Sequence, residues 1–280
     1  MAATLILVFI FGTIIGSFLN VLIFRLPEEE SINGRSHCRS CNHELGVADL
    51  VPVLSFLVLK GRCKYCKERV SWQYISVEVV TGLLFALAYY MAFRGVGIAP
   101  FDFGDFARVG LLPNLVFIRT IFIISVLIVI FSIDLKHFLI LDKVLFPATV
   151  LLFLLDMGIM LSLKASFLES VPVGGLLSGL ALFIFFGAIY YFSKGRWLGF
   201  GDVKFSWFLG LAVPGLLIFV NVFLAFGIGA LVGIFLIAIK AKKLSSKIAF
   251  GTFLSVACLI TMFWGKPILN WYIHLIGYAG

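Results

Sequence analysis

Long apolar stretches constrain this sequence more than any other feature. A helix needs about 20 mostly apolar residues to cross a bilayer core of about 30 Å. Runs of this length lie at 5–24, 74–93, 115–133, 144–163, 172–192, 215–240 and 248–264, and a shorter run lies at 203–213. The long runs exceed the length of a transmembrane β-strand, so the backbone must satisfy its own hydrogen bonds as helix. The sequence predicts an all-α polytopic membrane protein with about eight transmembrane helices.

The composition excludes a soluble globular protein. The chain has 280 residues, of which 62% are hydrophobic and 13% are charged, whereas soluble domains have about 45–50% apolar and about 25% charged residues. The first apolar run lacks a basic leading region and is long for a signal-peptide core, so we expect it to be a retained helix.

The positive charge of the chain indicates topology rather than nucleic-acid binding. The formal net charge is +8. If the N-terminus lies outside, segments 25–73, 134–143, 193–204 and 240–247 lie in the cytosol and carry most of the 22 Lys and Arg residues. The exceptions are Arg94, Arg108, Arg119, Lys164 and Lys266. This asymmetry follows the positive-inside rule, so the sequence predicts an outside N-terminus and no nucleic-acid partner.

The chain contains one long polar segment, residues 25–73, with two closely spaced cysteine pairs. We therefore predict a first transmembrane helix at 1–24, a small cytosolic zinc-binding loop domain at 25–73 and a transmembrane helical bundle at 74–280. The two pairs are Cys38, Cys41, Cys63 and Cys66. Two residues between the thiols of a pair allow both sulfurs to reach one metal, and two pairs complete a tetrahedral site.

The predicted metal is structural Zn²⁺. An iron–sulfur cluster or a redox pair is the alternative, although disulfides are rare in the reducing cytosol. Because four thiolates leave no open position for water, the ion is expected to fold the loop rather than to catalyse. The fifth cysteine, Cys258, is expected to be a small buried residue.

Two aspartates converge on the predicted cytosolic face. Asp134 ends the apolar run 115–133, and Asp202 lies in Gly199-Phe200-Gly201-Asp202-Val203-Lys204 before the short helix. Ionisable residues near hydrocarbon are costly and indicate function. Two facing carboxylates share a proton and can act as acid and base. Gly199 and Gly201 suit a sharp bend or close approach to a substrate strand.

Other charged residues in the apolar runs have different predicted roles. Asp142 is expected to lie at the interface or at the N-terminus of a helix. Arg119 and Asp156 lie at similar depths in the third and fourth runs and are predicted to form a structural ion pair. Glu78 lies in the second run near the cytosolic side, which makes it a further functional candidate.

Several motifs together resemble those of the bacterial type IV prepilin peptidases. They are Gly16-Ser17-Phe18-Leu19-Asn20-Val21 through Arg25-Leu26-Pro27, the thiol loop with Asp49-Leu50-Val51-Pro52-Val53-Leu54-Ser55 and Gly61-Arg62-Cys63, Ile133-Asp134, Asp142, and the glycine–aspartate motif at 199–202. They occur in the expected order over most of the chain.

The resemblance implies a Gly-x-Gly-Asp aspartic peptidase of the bacterial inner membrane. Its catalytic aspartates map onto Asp134 and Asp202, with Gly199, Gly201 and Lys204 in the supporting motif. The implied substrates are prepilins and pseudopilins, which are cut after the Gly that ends a basic leader. Many members also methylate the new N-terminal amine with S-adenosylmethionine. That activity is tied to the cytosolic loop region, and Glu78, in the second apolar run beside that loop, is the possible methyltransferase-related residue.

The chain departs from the family pattern at three sites. Ile140-Leu141 stands where the family has Ile-Pro, Tyr74-Ile75 stands where it has Tyr-Pro, and Ala249-Phe250-Gly251-Thr252 stands where it has Pro-Phe-Gly-Pro. Each departure loses a proline, so turn stiffness rather than a catalytic group is affected.

Two other classes of function remain open at this stage. A membrane transporter would use the carboxylates as a proton or ion relay, although transporter sites lie near the bilayer midplane between repeated halves. A non-catalytic zinc-bearing assembly factor would use the aspartates only as anchors.

Overall fold

The computed structural model describes residues 2–93, 98, 100, 112–163, 171–240, 248–275 and 277. Among them the ordered elements are helices: α1 (Ala2–Arg25), a 3₁₀ turn (Val47–Leu50), α2 (Leu54–Val58), α3 (Trp72–Phe93), α4 (Leu112–His137), α5 (Asp142–Leu163), α6 (Val171–Ser193), α7 (Phe200–Ala212), α8 (Leu217–Ala238) and α9 (Phe250–Leu275). Arg94, Arg108 and Lys164, together with residues 241–247 of the predicted fourth loop, lie outside the described residues.

The predicted all-helical membrane fold is confirmed. Seven of the described helices, α1, α3, α4, α5, α6, α8 and α9, are long and apolar enough to cross a membrane. The predicted short helix is α7, whose 13 residues extend over about 20 Å at 1.5 Å per residue. It is therefore too short to cross a core of about 30 Å alone.

The chain forms two compact units, residues 1–90 and 91–280. The predicted division at residues 1–24, 25–73 and 74–280 stays a prediction. In the first unit, α1 and α3 pack through glycines in near-backbone contact. A Cβ at Gly12 would lie 2.7 Å from the Cα of Gly82, and one at Gly16 would lie 2.8 Å from the Cα of Glu78. Small residues of this kind allow membrane helices to approach closely.

A buried arginine organises the connection after α1. The side chain of Arg25, which is 9% exposed, donates hydrogen bonds to the carbonyls of Ser31, Ile32, Asn33 and Arg35 at 3.0–3.3 Å. A guanidinium group has five N–H donors in a fixed planar arrangement, so one side chain satisfies several loop carbonyls. The loop that leads to the first cysteine pair is thereby fixed.

In the second unit, α4 is the most enclosed of the candidate membrane spans and packs against α5 and α9. The short α7 packs closely against α6 and also contacts α5 and α9. A Cβ at Gly210 of α7 would lie 2.2 Å from the backbone nitrogen of Gly179 in α6. Glycine is therefore required there, because any side chain would push the two helices apart.

Candidate active site

Asp134 lies near the end of α4, and the start of α9 holds its carboxylate. The side chain is 5% exposed, and its Oδ2 accepts a hydrogen bond from the Thr252 backbone N–H at 2.9 Å. The first N–H groups of a helix have no partner within that helix and attract anions. A Cβ at Gly251 would lie 2.8 Å from the same oxygen, so this approach requires glycine.

Asp202 is bound by the beginning of its own helix. It lies in the first turn of α7 and is 7% exposed. Its Oδ2 accepts a hydrogen bond from the Gly199 N–H at 3.2 Å, and its own N–H donates to the Gly199 carbonyl at 3.2 Å. Both aspartates are therefore fixed by backbone amides at a helix N-terminus, where the helix dipole favours negative charge.

The structure brings the two aspartates into one site. Ile140, in the short connection between α4 and α5, lies beside the glycines next to both of them. A Cβ at Gly201 would lie 3.1 Å from the Ile140 Cβ, and one at Gly251 would lie 3.0 Å from its Cδ1. One side chain of this connection therefore packs against the surroundings of both aspartates.

The glycines of the motif lie close to other parts of the chain. The space that Gly201 leaves is filled by Ile140, and the expected sharp bend or close approach to a substrate strand stays a prediction. Gly199 supplies the N–H that binds Asp202.

Lys204 and Asp142 form an ion pair beside the aspartates. The Nζ of Lys204 contacts the Oδ1 of Asp142 and lies 5.5 Å from the ring centroid of Phe200. Asp142 is the first residue of α5, which confirms its predicted position at a helix N-terminus. The pair connects the beginning of α5 to the first turns of α7.

A predicted ion pair deeper in the second unit is also confirmed. Arg119 donates from Nε to Asp156 Oδ1 at 2.5 Å and from Nη2 to Oδ2 at 3.3 Å. Both side chains are 0% exposed. Cys258 is buried as predicted.

The four cysteines of the first unit form one cluster. The sulfurs of Cys38, Cys41, Cys63 and Cys66 all lie within 4.8 Å of one another, and the Sγ atoms of Cys38 and Cys66 are 3.9 Å apart. Zn–S bonds of about 2.3 Å in a tetrahedron place the sulfurs about 3.8 Å apart. The donor set and its spacing therefore fit a zinc ion, with all four positions filled by protein.

The two cysteine pairs lie in matching tight hairpins. In the first hairpin, Cys38 N–H donates to the His43 carbonyl and Asn42 N–H donates to the Cys38 carbonyl. In the second hairpin, the equivalent bonds run from Cys63 to Glu68 and from Lys67 to Cys63. The residues after each pair, Asn42 and Lys67, both have positive φ, at 54° and 61°. Each hairpin therefore presents its two sulfurs in the same way.

Asp49 links the two hairpins to the segment between them. Its Oδ2 accepts hydrogen bonds from the Gly46 N–H and the Tyr65 hydroxyl. The ring of Tyr65 lies 3.7 Å from that of His43 in the first hairpin. The Gly46 N–H and the Tyr65 hydroxyl lower the pKa of Asp49, which stabilises its ionised form.

Glu78 binds a strained turn that connects the hairpins. Its Oε2 accepts the Val53 N–H at 2.8 Å. Val53 has φ 63° and ψ −51°, and the Leu54 N–H donates to the Pro52 carbonyl at 2.6 Å. This is a γ-turn with positive φ, a rare conformation that is strained for a β-branched residue. Such strain is typically kept at functional sites.

Glu78 borders a cavity of about 350 Å³ in the first unit. Its polar lining includes Asn20, Arg25, Arg39, Asp49 and Glu78. Asn20 is 1% exposed and donates to the Tyr74 carbonyl, while its Oδ1 has no hydrogen-bond partner among the described residues. A buried acceptor without a partner is costly, so this oxygen is available to a hydrogen-bond donor.

Several of these residues could not be identified from the sequence. Thr252 and Gly251 were noted only for a lost proline, Ile140 only as a neighbour of Asp142, and Val53 only as part of a motif. The position of Gly251 and Thr252 at the start of the last apolar run is the one signal that these N–H groups could bind an anion.

The sequence is similar to known prepilin peptidases along nearly its whole length. Residues 10–92 match the family described as Bacterial Peptidase A24 N-terminal domain, and residues 121–234 match the Type IV leader peptidase family. The chain is 32% identical over 274 residues to a Bacillus subtilis (strain 168) protein, a match that covers 96% of this chain and 98% of that one.

Two relatives from Aeromonas show the same similarity. The identity is 29% over 298 residues with a protein of Aeromonas salmonicida (strain A449), covering 96% of this chain and 94% of that one. It is 30% over 294 residues with a protein of Aeromonas hydrophila, covering 95% and 93%. All three relatives are named prepilin leader peptidase/N-methyltransferase.

No solved structure matches the chain. The matches to the two families and to the full-length relatives confirm the predicted family and enzyme class. The chain therefore belongs to the type IV leader peptidase family.

Proposed function

We propose that this protein is an aspartic endopeptidase that removes the basic leader peptide from type IV prepilins and pseudopilins, with Asp134 and Asp202 as its catalytic pair. One observation carries the proposal. Two nearly buried carboxylates from helices far apart in sequence lie in one site, and each is bound by backbone N–H groups at a helix N-terminus. Buried carboxylates in a pair are the groups that aspartic peptidases use for acid–base catalysis.

The proposed reaction divides two tasks between the carboxylates. The ionised partner removes a proton from a water molecule, which attacks the scissile carbonyl carbon. The protonated partner donates its proton to the carbonyl oxygen. Because like charges at close range cannot both ionise easily, the pair holds one proton in the resting state. The proton belongs to the pair as a whole, so neither residue is assigned to one task.

The proposed orientation follows from the basic segments. With the N-terminus outside, the end of α4 and the start of α7 both lie at the cytosolic surface of the bacterial inner membrane. The Lys and Arg residues concentrate there as the positive-inside rule requires. A prepilin with a basic leader and an apolar helix would then expose its cleavage site at the depth of the two aspartates.

The thiol cluster is proposed to hold structural Zn²⁺. Cys38, Cys41, Cys63 and Cys66 would bind the ion, which would supply no open coordination position for chemistry. The ion would replace the hydrophobic core that a segment of this size cannot build. Its role is therefore to fix the two hairpins around the cavity.

The second proposed activity is N-methylation of the new N-terminal residue. The relatives carry N-methyltransferase in their names, and the cavity in the first unit is of the size that small ligands occupy. S-adenosylmethionine, when bound, supplies a methyl group. Asn20, with its unpartnered Oδ1, and Glu78 are the residues proposed to bind it.

The peptidase proposal is tested with purified protein, zinc intact, and a prepilin peptide that has a basic leader, a Gly and a following Phe. Asp134→Asn and Asp202→Asn should each lower cleavage by a factor of about 10³ or more, since each removes an acid–base group. Asp142→Asn is the matched control, because Asp142 lies nearby but outside the pair. Cleavage by both variants at the wild-type rate would contradict the proposal.

The same assay separates the alternatives. A transporter or a non-catalytic assembly factor would leave the peptide uncut in every sample, including the wild type. Addition of S-adenosylmethionine, followed by mass analysis, tests the second activity. The cleaved product should gain one methyl group with the wild type and much less with Glu78→Gln, whereas cleavage by Glu78→Gln should be retained.

A further inference from the structure

The C-terminal end of α7 needs partners that water cannot supply. In a chain whose helices cross a membrane, a helix of about 20 Å that begins at one surface ends inside the hydrocarbon. Leu209, Leu211 and Ala212 at this end are 0% exposed. The last carbonyls of a helix have no partner within it, and an unpaired carbonyl in lipid is costly.

Arg119 of α4 supplies those partners. Its Nη2 donates to the Leu211 carbonyl at 2.6 Å and lies 3.5 Å from the Ala212 carbonyl oxygen. A cation at this position also interacts favourably with the negative end of the helix dipole. One buried side chain of α4 thus binds the end of α7.

Asp156 of α5 makes this charge tolerable in the interior. It binds Arg119 through both carboxylate oxygens, and both side chains are 0% exposed. Replacing a buried ion pair with apolar residues is often neutral or stabilising, so stability alone does not require charged groups here. The charged pair instead defines the position of α7 along α4, because only one register of α7 places its last carbonyls at Arg119.

A second contact fixes the turn that follows. The Gly215 N–H donates to the Ser178 hydroxyl oxygen at 2.8 Å, and Gly210 lies against the backbone of Gly179 in α6. These contacts hold α7 and the turn that follows it against α6. Arg119 instead attaches α7 to α4, which is the helix that carries Asp134.

We propose that Arg119 and Asp156 are positioning residues that set the register of α7 against α4 and thereby bring Asp202 to Asp134. Asp134 lies about four turns along α4 from Arg119, and Asp202 lies at the opposite end of α7 from the capped carbonyls. Because helices transmit displacement along their axes, a shift at the capped end moves Asp202. The consequence for catalysis rests on the proposed peptidase function.

The test is the double variant Arg119→Met/Asp156→Leu, which removes both charges and keeps the volume apolar. We expect the melting temperature to stay close to that of the wild type. We expect kcat for prepilin cleavage to fall roughly 10- to 100-fold with KM unchanged, since small misplacement of reacting groups has effects of this size. Thr120→Val is the control, because Thr120 is 0% exposed and its hydroxyl donates to the Val116 carbonyl within α4.

A second measurement does not depend on activity. Asp134→Cys and Asp202→Cys are introduced together, and the rate of their linkage by a short bifunctional thiol reagent is measured with and without the Arg119 and Asp156 substitutions. We expect the substitutions to slow linkage. An unchanged linkage rate together with wild-type kcat in the apolar double variant overturns the proposal and leaves the peptidase function intact. If the wild-type protein does not cleave the prepilin peptide but the Arg119 and Asp156 substitutions still slow linkage, the positioning role is supported and the peptidase function is removed.

Arg119→Lys covers the case in which the double variant does not fold. The ammonium group keeps the pairing with Asp156, but it lacks the planar set of donors that reaches the carboxylate and the helix end together. We expect a folded protein with slowed linkage and a kcat lowered about tenfold. Wild-type values of both quantities in this variant also overturn the proposal.

Discussion

The thiol cluster and the aspartate pair are built in opposite ways. The cluster takes its four thiols from two similar hairpins, each formed by hydrogen bonds between residues at most nine positions apart. The aspartate pair takes its groups from α4 and α7, and a third helix, α9, supplies the N–H that binds Asp134. The position of the four thiols therefore depends on local chain geometry, while that of the pair depends on the packing of several helices.

Because of this difference, the two sites should respond to different substitutions. Loss of one ligand should unfold the hairpins, because a small metal-bound segment has little other source of stability. A small displacement in helix packing should instead disturb the pair, because catalysis depends on sub-ångström geometry. Substitutions that affect one site and spare the other test the comparison.

The largest expected effect is that of Cys63→Ser on the thiol cluster. Structural zinc sites contribute on the order of 10 kcal/mol to folding, so this variant should lose bound zinc and the fold of the hairpins. Metal analysis and limited proteolysis of residues 25–73 measure the two losses. The helices of residues 91–280 should keep their thermal stability. Unaltered zinc stoichiometry would rule out the four-thiolate site.

The next largest effect is expected from Gly251→Ala. The added Cβ would lie 2.8 Å from the Asp134 Oδ2 and 3.0 Å from the Ile140 Cδ1, so the carboxylate must move. Cleavage should fall about a hundredfold while zinc content stays constant. Gly227→Ala is the matched control, because a Cβ at Gly227 meets nothing within 4 Å. Equal activity of the two variants would refute the close packing around Asp134.

A smaller effect is expected from Thr252→Pro, which removes the N–H that donates to Asp134. The position lies in the first turn of α9, where proline is tolerated. Loss of this one hydrogen bond should cost about 1 kcal/mol of stabilisation, which corresponds to roughly a fivefold decrease in kcat. Thr252→Val keeps the N–H and should cleave at nearly the wild-type rate, which separates the backbone contact from the hydroxyl group.

The smallest effect is expected from Asp142→Asn. Asp142 is about half exposed, and its ion pair with Lys204 is of a kind that contributes about 0–1 kcal/mol. Cleavage should therefore change by less than about fivefold, and the change should shrink further at high salt. A loss as large as that of Asp202→Asn would show that Lys204 must be held in place for catalysis.

The sequence predicts the side chains of each site but not the backbone groups that bind the two carboxylates. Residue spacing is enough for the thiols, because two residues between cysteines allow one metal to bind both. Asp134 and Asp202 are predicted from their position at the ends of apolar runs. The partners of the two carboxylates, Thr252 and Gly199, use backbone N–H groups, which every residue except proline has. The sequence therefore singles out Gly199 as a motif residue but not as the donor to Asp202, and it does not single out Thr252 as the donor to Asp134.

The Arg119–Asp156 pair includes one contact that the sequence predicts and others that it does not. Matched depth in two apolar runs was enough to predict that the two residues pair. The contacts of Arg119 with the carbonyls of Leu211 and Ala212 could not be predicted, because they depend on how far α7 reaches along α4. Likewise, the strained turn at Val53 and its bond to Glu78 arise only when α3 and the loop pack together.

The sequence by itself determined that this protein lies in a lipid bilayer, that it is helical, that its cysteines cluster and which family it belongs to. These follow from hydrophobicity, from the hydrogen-bonding needs of a backbone in lipid, and from short-range spacing. Only the tertiary structure decided which amides hold the two carboxylates and which buried side chain binds the last carbonyls of α7. Those features depend on distances between segments that lie far apart in the chain, and such distances are set by packing rather than by local composition.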